Sequence, residues 1–306
     1  MNYGRTSLRR RAKQLDARGT RIRHKIGVIL SKLLLIGIIV GGCAAVSFGV
    51  GAFKGILASA PDISEVDVIP TGYSTKVLAA DGSETAKLVA AGSNRQYVTI
   101  DQIPEDLQHA VVAIEDERFY DHNGIDLKGI VRALVADVRT RDFSQGASTL
   151  TQQLIKNNVL NEQWANENDS NISKIEKMER QVQRKIQEQY LAIELEKKVN
   201  DKNWILENYL NSINLGSNTL GVQAAAQRYF GKDVSKLTLS ECAVIAGITK
   251  NPAGYNPILH PKENAKRRKN VLDAMKKQGY ISQKQYDKAM ADDVYGRISE
   301  HNDVRE

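Results

Sequence analysis

The sequence predicts a mainly α-helical protein with a minor β element, set behind one membrane-spanning helix. Three observations carry this. Residues 33–53 form an uncharged run behind a strongly basic stretch. From Ile103 onward apolar residues recur at helical spacing. Between these regions lies a short extended pattern around the dipeptide Asp81-Gly82, a strong hairpin-turn signal. A chain of 306 residues suffices for one large domain with an anchor and a small accessory piece.

The basic stretch explains the charge. The formal net charge is +7, but residues 1–32 hold ten Lys/Arg against the single acid Asp16, which leaves −2 for residues 33–306. The basicity therefore belongs to a tail, and a near-neutral body is not that of a nucleic-acid-binding protein. The run 33–53 is long enough to span a bilayer core as a helix and longer than the core of a signal peptide. With Arg9, Arg10, Arg11, Arg18, Arg21, Arg23 and Lys25 before it, the positive-inside rule puts residues 1–32 in the cytoplasm and residues beyond about 54 outside. Cys43 falls in the span and Cys242 in an apolar stretch, so no disulfide framework is expected.

After the anchor, residues 73–79 and 84–89 flank the turn, and 96–100 could add a third strand. This piece is too small for its own core and is expected to pack on the helical region C-terminal to it. Pro104 marks a helix start, with Leu107, Ala110, Val111 and Ile114 at helical spacing. Further helices are expected at 127–139, 148–159, 176–197, 204–213, 220–229, 240–249, 261–278 and 282–290. Residues 161–174 are rich in Asn, Glu and Ser and read as a mobile loop.

Five clusters carry chemistry. The first, Glu115-Asp116-Glu117-Arg118-Phe119-Tyr120-Asp121-His122-Asn123-Gly124, puts a carboxylate at the end of an apolar helix face. Partial desolvation there would suit proton transfer near neutral pH, although an ordinary solvated helix end has the same composition. The second, Gly146-Ala147-Ser148-Thr149-Leu150-Thr151-Gln152-Gln153, runs on to Lys156. Ser148 or Thr149 can cap a helix whose N-terminus offers N–H groups to an anion such as pyrophosphate. Thr149, Gln152, Gln153 and Lys156 share one side of that helix. In the third, Arg180, Arg184 and Glu188 share a face, with Lys185 three residues before Glu188. Such a face suits phosphate oxygens, and a surface helix laced with ion pairs would look alike. The fourth (208–216 and 221–232) and the fifth (237–247, ending at Asn251-Pro252 and Tyr255-Asn256-Pro257) read first as structural supports.

In this order, over about residues 94–280, the five clusters resemble the glycosyltransferase domain of class A penicillin-binding proteins and of monofunctional peptidoglycan glycosyltransferases. The resemblance implies a lysozyme-like α fold with a large lobe and a small, membrane-proximal jaw lobe. It implies transfer of a growing glycan from undecaprenyl pyrophosphate to the GlcNAc 4-hydroxyl of lipid II, with inversion to a β-1,4 link. Glu115 matches the family's general base. Glu188 matches the second glutamate, acting at the pyrophosphate with or without a divalent cation such as Mg2+. Lys156, Arg180, Arg184 and Lys185 match the donor-phosphate positions. Ser148, Thr149, Gln152 and Gln153 match binding positions of the second cluster, and Asp116, Phe119 and His122 match supporting positions of the first, grouped with the substrate-binding set.

The implied organisation is a basic cytoplasmic tail (1–32), a transmembrane helix (33–53), an extracytoplasmic linker with the hairpin (54–93), the glycosyltransferase domain (94–290) and a polar end (291–306). The implied partners are lipid II, the growing strand, the bilayer and cell-wall synthesis proteins. No nucleic acid and no nucleotide cofactor are expected. Two features depart from the family pattern. The segment between Lys156 and Arg180 is longer than in the monofunctional enzymes, and neither the Ser-x-x-Lys nor the Lys-Thr-Gly of a transpeptidase domain occurs. The chain reads either as monofunctional or as part of a longer protein. Two other readings compete: a lytic transglycosylase or muramidase of the same fold, and a non-catalytic scaffold for wall assembly. The second glutamate on a basic helix favours synthesis, because glycan cleavage has no pyrophosphate to hold. A scaffold would predict loss of a key residue, yet Glu115, Lys156, Arg184 and Glu188 are all present.

Overall fold

A computed structural model describes residues 4–15, 18–63, 68–70, 72, 75–81, 84–88, 95–140, 148–161, 164 and 172–298. The chain divides into two units, residues 1–59 and 60–306. In the first, α1 (Arg5–Leu15) precedes α2 (Arg18–Ala58). The 41 residues of α2 extend about 60 Å at the helical rise. Its stretch Ile22–Ala58 is long and apolar enough to cross a membrane. The expected span 33–53 is thus the middle of a longer helix. Leu34, Val46 and Phe48 are exposed along it, an apolar surface that water does not tolerate.

The second unit is mainly helical. Strands β1 (Thr75–Leu78) and β2 (Glu84–Leu88) pair antiparallel, Thr75 opposite Leu88 and Val77 opposite Ala86. Gly82 of the expected turn, Tyr73 and Val89 lie outside the described residues. No third strand forms at 96–100. Arg95 makes an isolated bridge to Leu220, and the Asn211 side chain then takes the place of a strand neighbour. It accepts from the Val98 N–H (3.0 Å) and donates to the Val98 carbonyl (2.8 Å). With its hydrogen bonds met by an amide, the segment turns into a 3₁₀ turn at Ile100–Gln102.

The helices are α3 (Glu105–Glu115), α4 (Leu127–Thr140), α5 (Leu150–Ile155), α6 (Lys174–Val199), α7 (Lys202–Ser212), α8 (Val222–Phe230), α9 (Leu239–Ile248), α10 (Pro261–Lys277) and α11 (Gln283–Ala291). Caps set their boundaries. The Thr149 hydroxyl accepts from Gln152 N, Ser173 from Glu176 N, and Asp201 from Asn203 N and Trp204 N. Thr238 with Glu241, and Ser282 with Gln285, form capping boxes. The expected helix 148–159 is split, because α5 passes at Lys156 into a π-helical turn, Lys156–Leu160. Gly146 and Ala147 lie outside the described residues, as do 162, 163 and 165–171 of the expected loop. Trp164 is half-buried there, and its indole N–H donates to Gln187 Oε1 (3.3 Å).

Helix α9 is apolar nearly all round and buried from Ser240 to Ile248, so it can only be a core helix. Helices α3 and α10 pack on it and on each other, while α6 and α7 pack on α5. One contiguous core joins the two groups, with Phe119, Tyr209 and Tyr229 as its fully buried aromatics. The site lies where the end of α3 meets α5.

Candidate active site

Glu115 is the last residue of α3, where the helix leaves the core and its side chain remains 13% exposed. Among the described residues three side chains donate to it. Thr249 Oγ1, just beyond α9, reaches Oε1 at 2.6 Å. Arg267 Nη2 on α10 reaches the same oxygen at 3.4 Å. Gln153 Nε2 on α5 reaches Oε2 at 3.3 Å. The Gln153 amide is oriented in turn by Tyr209 on α7, whose hydroxyl donates to Gln153 Oε1 (3.2 Å). Burial raises the Tyr209 pKa well above its ordinary value and the nearby Glu115 and Asp116 carboxylates raise it further, so the phenol stays a neutral donor.

Across a cleft of about 500 Å³ from Glu115 stands α6. Glu188 is 3% exposed: Oε2 accepts from Lys185 Nζ (3.1 Å), while Oε1 lies 3.2 Å from Arg184 Nε as an ion pair and accepts no hydrogen bond among the described residues. Lys185 Nζ also donates to Ser148 Oγ (2.7 Å) and Gln152 Oε1 (3.1 Å), tying α6 to the start of α5. Gln152 Nε2 is buried, without a hydrogen-bond partner among the described residues, on a residue that lines the cleft. Lys156 is exposed on the same wall, where the α-helix gives way to the π turn. The wall is thus a run of cations and amide donors facing a carboxylate.

Of the residues the sequence singles out, Glu115, Glu188, Ser148, Gln152, Gln153, Lys156, Arg184 and Lys185 come together in this cleft. Five do not line it. Thr149 is buried, caps α5, and donates to the Gly124 carbonyl (2.7 Å). Asp116, Phe119 and His122 are buried behind the wall, so the expectation that they touch substrate is corrected to support. Both Asp116 oxygens lie 3.0 Å from His122 Nε2, and one accepts from Leu150 N (2.9 Å), fixing the first turn of α5. Phe119 packs under the Lys202 ammonium, 4.6 Å from the ring centre. Arg180 is on the Arg184 face but pairs with Glu176 (2.9 Å), further out along α6. Gly124 allows this packing: at φ +89° a Cβ would lie 2.6 Å from the Ala192 carbonyl.

Thr249, Arg267, Tyr209 and Lys250 belong to the site although sequence reasoning did not assign them to it. Arg267 sits in Lys266-Arg267-Arg268-Lys269, which reads as a solvated basic face. A helical count gives a signal. Asn264, Arg268, Val271, Leu272 and Met275 form the buried side of α10, which turns its arginines inward.

Residues 81–276 match the family model described as Transglycosylase. The chain is 40% identical over 258 residues to penicillin-binding protein 1A/1B of Bacillus subtilis, covering 84% of this chain and 25% of that protein. It is 46% identical over 196 residues to penicillin-binding protein 1A of Aquifex aeolicus, covering 64% and 25%. It is 40% identical over 245 residues to that of Escherichia coli, covering 80% and 26%. The chain thus spans about a quarter of the length of these relatives. The crystal structure of penicillin-binding protein 1A from Haemophilus influenzae aligns with a TM-score of 0.40 at 25% identity, covering 76% of this chain and 22% of that one.

Proposed function

The chain belongs to the transglycosylase family and carries the peptidoglycan glycosyltransferase domain of penicillin-binding protein 1A homologues, and from that premise we propose that it polymerises lipid II. The acceptor's GlcNAc 4-hydroxyl attacks the anomeric carbon of a glycan held on undecaprenyl pyrophosphate. A β-1,4 link forms with inversion, and undecaprenyl pyrophosphate leaves. The observation that carries this reading is one cleft with Glu115 on one side and Arg184, Lys185 and Glu188 on the other. A hydroxyl nucleophile needs a base within hydrogen-bond reach, which is the role of Glu115. A pyrophosphate leaving group needs charge stabilisation more than protonation, which the cations supply in a partly dry site. Lys156, the buried Gln152 amide and Ser148 extend that wall, and Arg180 stands at its outer end once it exchanges Glu176 for phosphate.

Glu188 acts here by holding Arg184 and Lys185 in place. Its Oε2 accepts from Lys185, while its buried Oε1 lies 3.2 Å from Arg184 Nε but accepts no hydrogen bond among the described residues. That buried oxygen fits a divalent cation such as Mg2+, which Glu188 would hold together with pyrophosphate oxygens and which would neutralise leaving-group charge. The fold reading is lysozyme-like, with the catalytic lobe and a smaller jaw lobe toward the membrane. The domain reading is the one the sequence implies, with the glycosyltransferase domain at 94–290. The basic tail places the N-terminus in the cytoplasm and the domain outside, where α2 keeps it near lipid-linked substrate. Cell-wall synthesis proteins are the partners this location implies.

Labelled lipid II in liposomes tests the proposal. The parent chain is expected to yield glycan strands, and Glu115→Gln to lower the rate about 100- to 10,000-fold. Strands from both proteins at one rate would remove Glu115 as the base. Solubilisation of preformed glycan in place of polymerisation would replace synthesis by the lytic reading, and neither activity from a folded, inserted protein would favour a scaffold.

A further inference from the structure

The Thr249 hydroxyl is the one donor to Glu115, among the described residues, that can also accept. Gln153 Nε2 and Arg267 Nη2 carry protons and no lone pair to offer. The opposite oxygen of the Gln153 amide is held by the Tyr209 hydroxyl, so this amide cannot turn without breaking that bond. Thr249 has a choice. Its Oγ1 lies 2.6 Å from Glu115 Oε1 and 2.9 Å from the Ala246 carbonyl three residues back. A hydroxyl has one proton and two lone pairs, so it serves one of these acceptors at a time.

We propose that Thr249 is a positioning residue whose hydroxyl reverses direction as Glu115 changes protonation state. The inference rests on Glu115 being the base. While Glu115 is a carboxylate, Thr249 donates to Oε1. When Glu115 takes up the acceptor's hydroxyl proton, the Thr249 proton turns to the Ala246 carbonyl, the new proton comes to rest on the Oε1 lone pair this vacates, and the Oε1–H donates to Thr249 Oγ1. No bond within Thr249 breaks and no proton passes through it. Each state of the base keeps a full set of partners, and the step requires no side chain to swing. Thr249 is well placed for this, because it caps a buried helix and needs to turn only its hydroxyl proton.

The test compares Thr249→Val, nearly the same shape without the hydroxyl, with Thr249→Ser, which keeps it. For the full chain in liposomes, Thr249→Val is expected to lower kcat roughly 10- to 100-fold with little change in KM. Thr249→Ser is expected to stay within about threefold of the parent, since it retains the rotor. Thr249→Ala reads the same loss if the valine variant folds poorly, and unchanged melting temperatures mark the effect as local. Parent kcat in both Thr249→Val and Thr249→Ala, or loss in Thr249→Ser equal to theirs, overturns the inference. Running Glu115→Gln alongside separates the two ideas. An inactive Glu115→Gln with a fully active Thr249→Val removes only the rotor, whereas an active Glu115→Gln removes the base and the rotor with it.

Discussion

Asp116 and Glu115 are neighbours in sequence with opposite duties. Glu115 faces the cleft, while Asp116 turns inward and serves two buried donors, His122 Nε2 and Leu150 N. Replacing Asp116 by Ala leaves both donors without an acceptor, a cost of about 2–5 kcal/mol. The expected result is a clear drop in the denaturation midpoint together with loss of polymerisation, because the first turn of α5 is no longer fixed. Loss of activity at full stability would instead place Asp116 in contact with substrate. The sequence made these residues visible as a cluster but did not divide the roles, because carboxylates at i and i+1 differ only in the direction the backbone gives them. Arg180 and Arg184 were legible as one face for the same reason. The structure separates them by partner, Glu176 for one and Glu188 for the other. Thr249 and Arg267 were not assigned to the site, since a lone threonine and a basic run owe their chemistry to a glutamate more than a hundred residues away.

Helices were read more easily than strands. Periodicity and capping residues are local, so α6, α7, α10 and α11 fall within a few residues of where the pattern puts them. The π turn at Lys156 and the missing third strand were not legible, because both depend on contacts made elsewhere, the second on Asn211. The 3₁₀ turn Tyr295–Arg297 is an element held by charge. Arg297 grips Asp292 with two bonds (2.8 and 2.7 Å), and that hydrogen bonding holds the Asp292 carboxyl down to about 2. A depressed carboxylate contributes stability that is present above its unfolded value near 4 and is lost as the pH falls through about 2. The pair is partly exposed, so the contribution is below about 1 kcal/mol. Denaturation midpoints tracked from pH 5 to about 2 should fall less steeply for Asp292→Asn than for the parent. Parallel curves would rule the pair out as a source of the acid slope.

For the whole molecule, charge and hydropathy fixed the broad plan, a basic tail, an apolar helix and a near-neutral body, because these properties sum over many residues. The apolar side chains of α2 are exposed, a surface that is costly in water and suited to the interior of a bilayer. Placing arginines at Leu35 and Val40 adds about 2.5–3.5 kcal/mol each to the cost of insertion. The double variant is expected to leave the membrane fraction on cell fractionation, with polymerisation kept in detergent and reduced in liposomes. Unchanged membrane retention would mean that the chain is held there by something other than α2.

The three side chains around Glu115 also bear on biosynthesis. Gln153 comes after Glu115 by 38 residues, Thr249 by 134 and Arg267 by 152. A ribosome makes them in that order, at roughly 5–20 residues per second. For several seconds a growing chain therefore holds α3 through α8, Gln153 included, without Thr249 and Arg267, two of the three donors to Glu115. The set of donors around Glu115 is complete only after α10 has emerged and docked beside α3 and α9. The chain's connectivity thus assembles the surroundings of Glu115 last, once most of the helical core has been made.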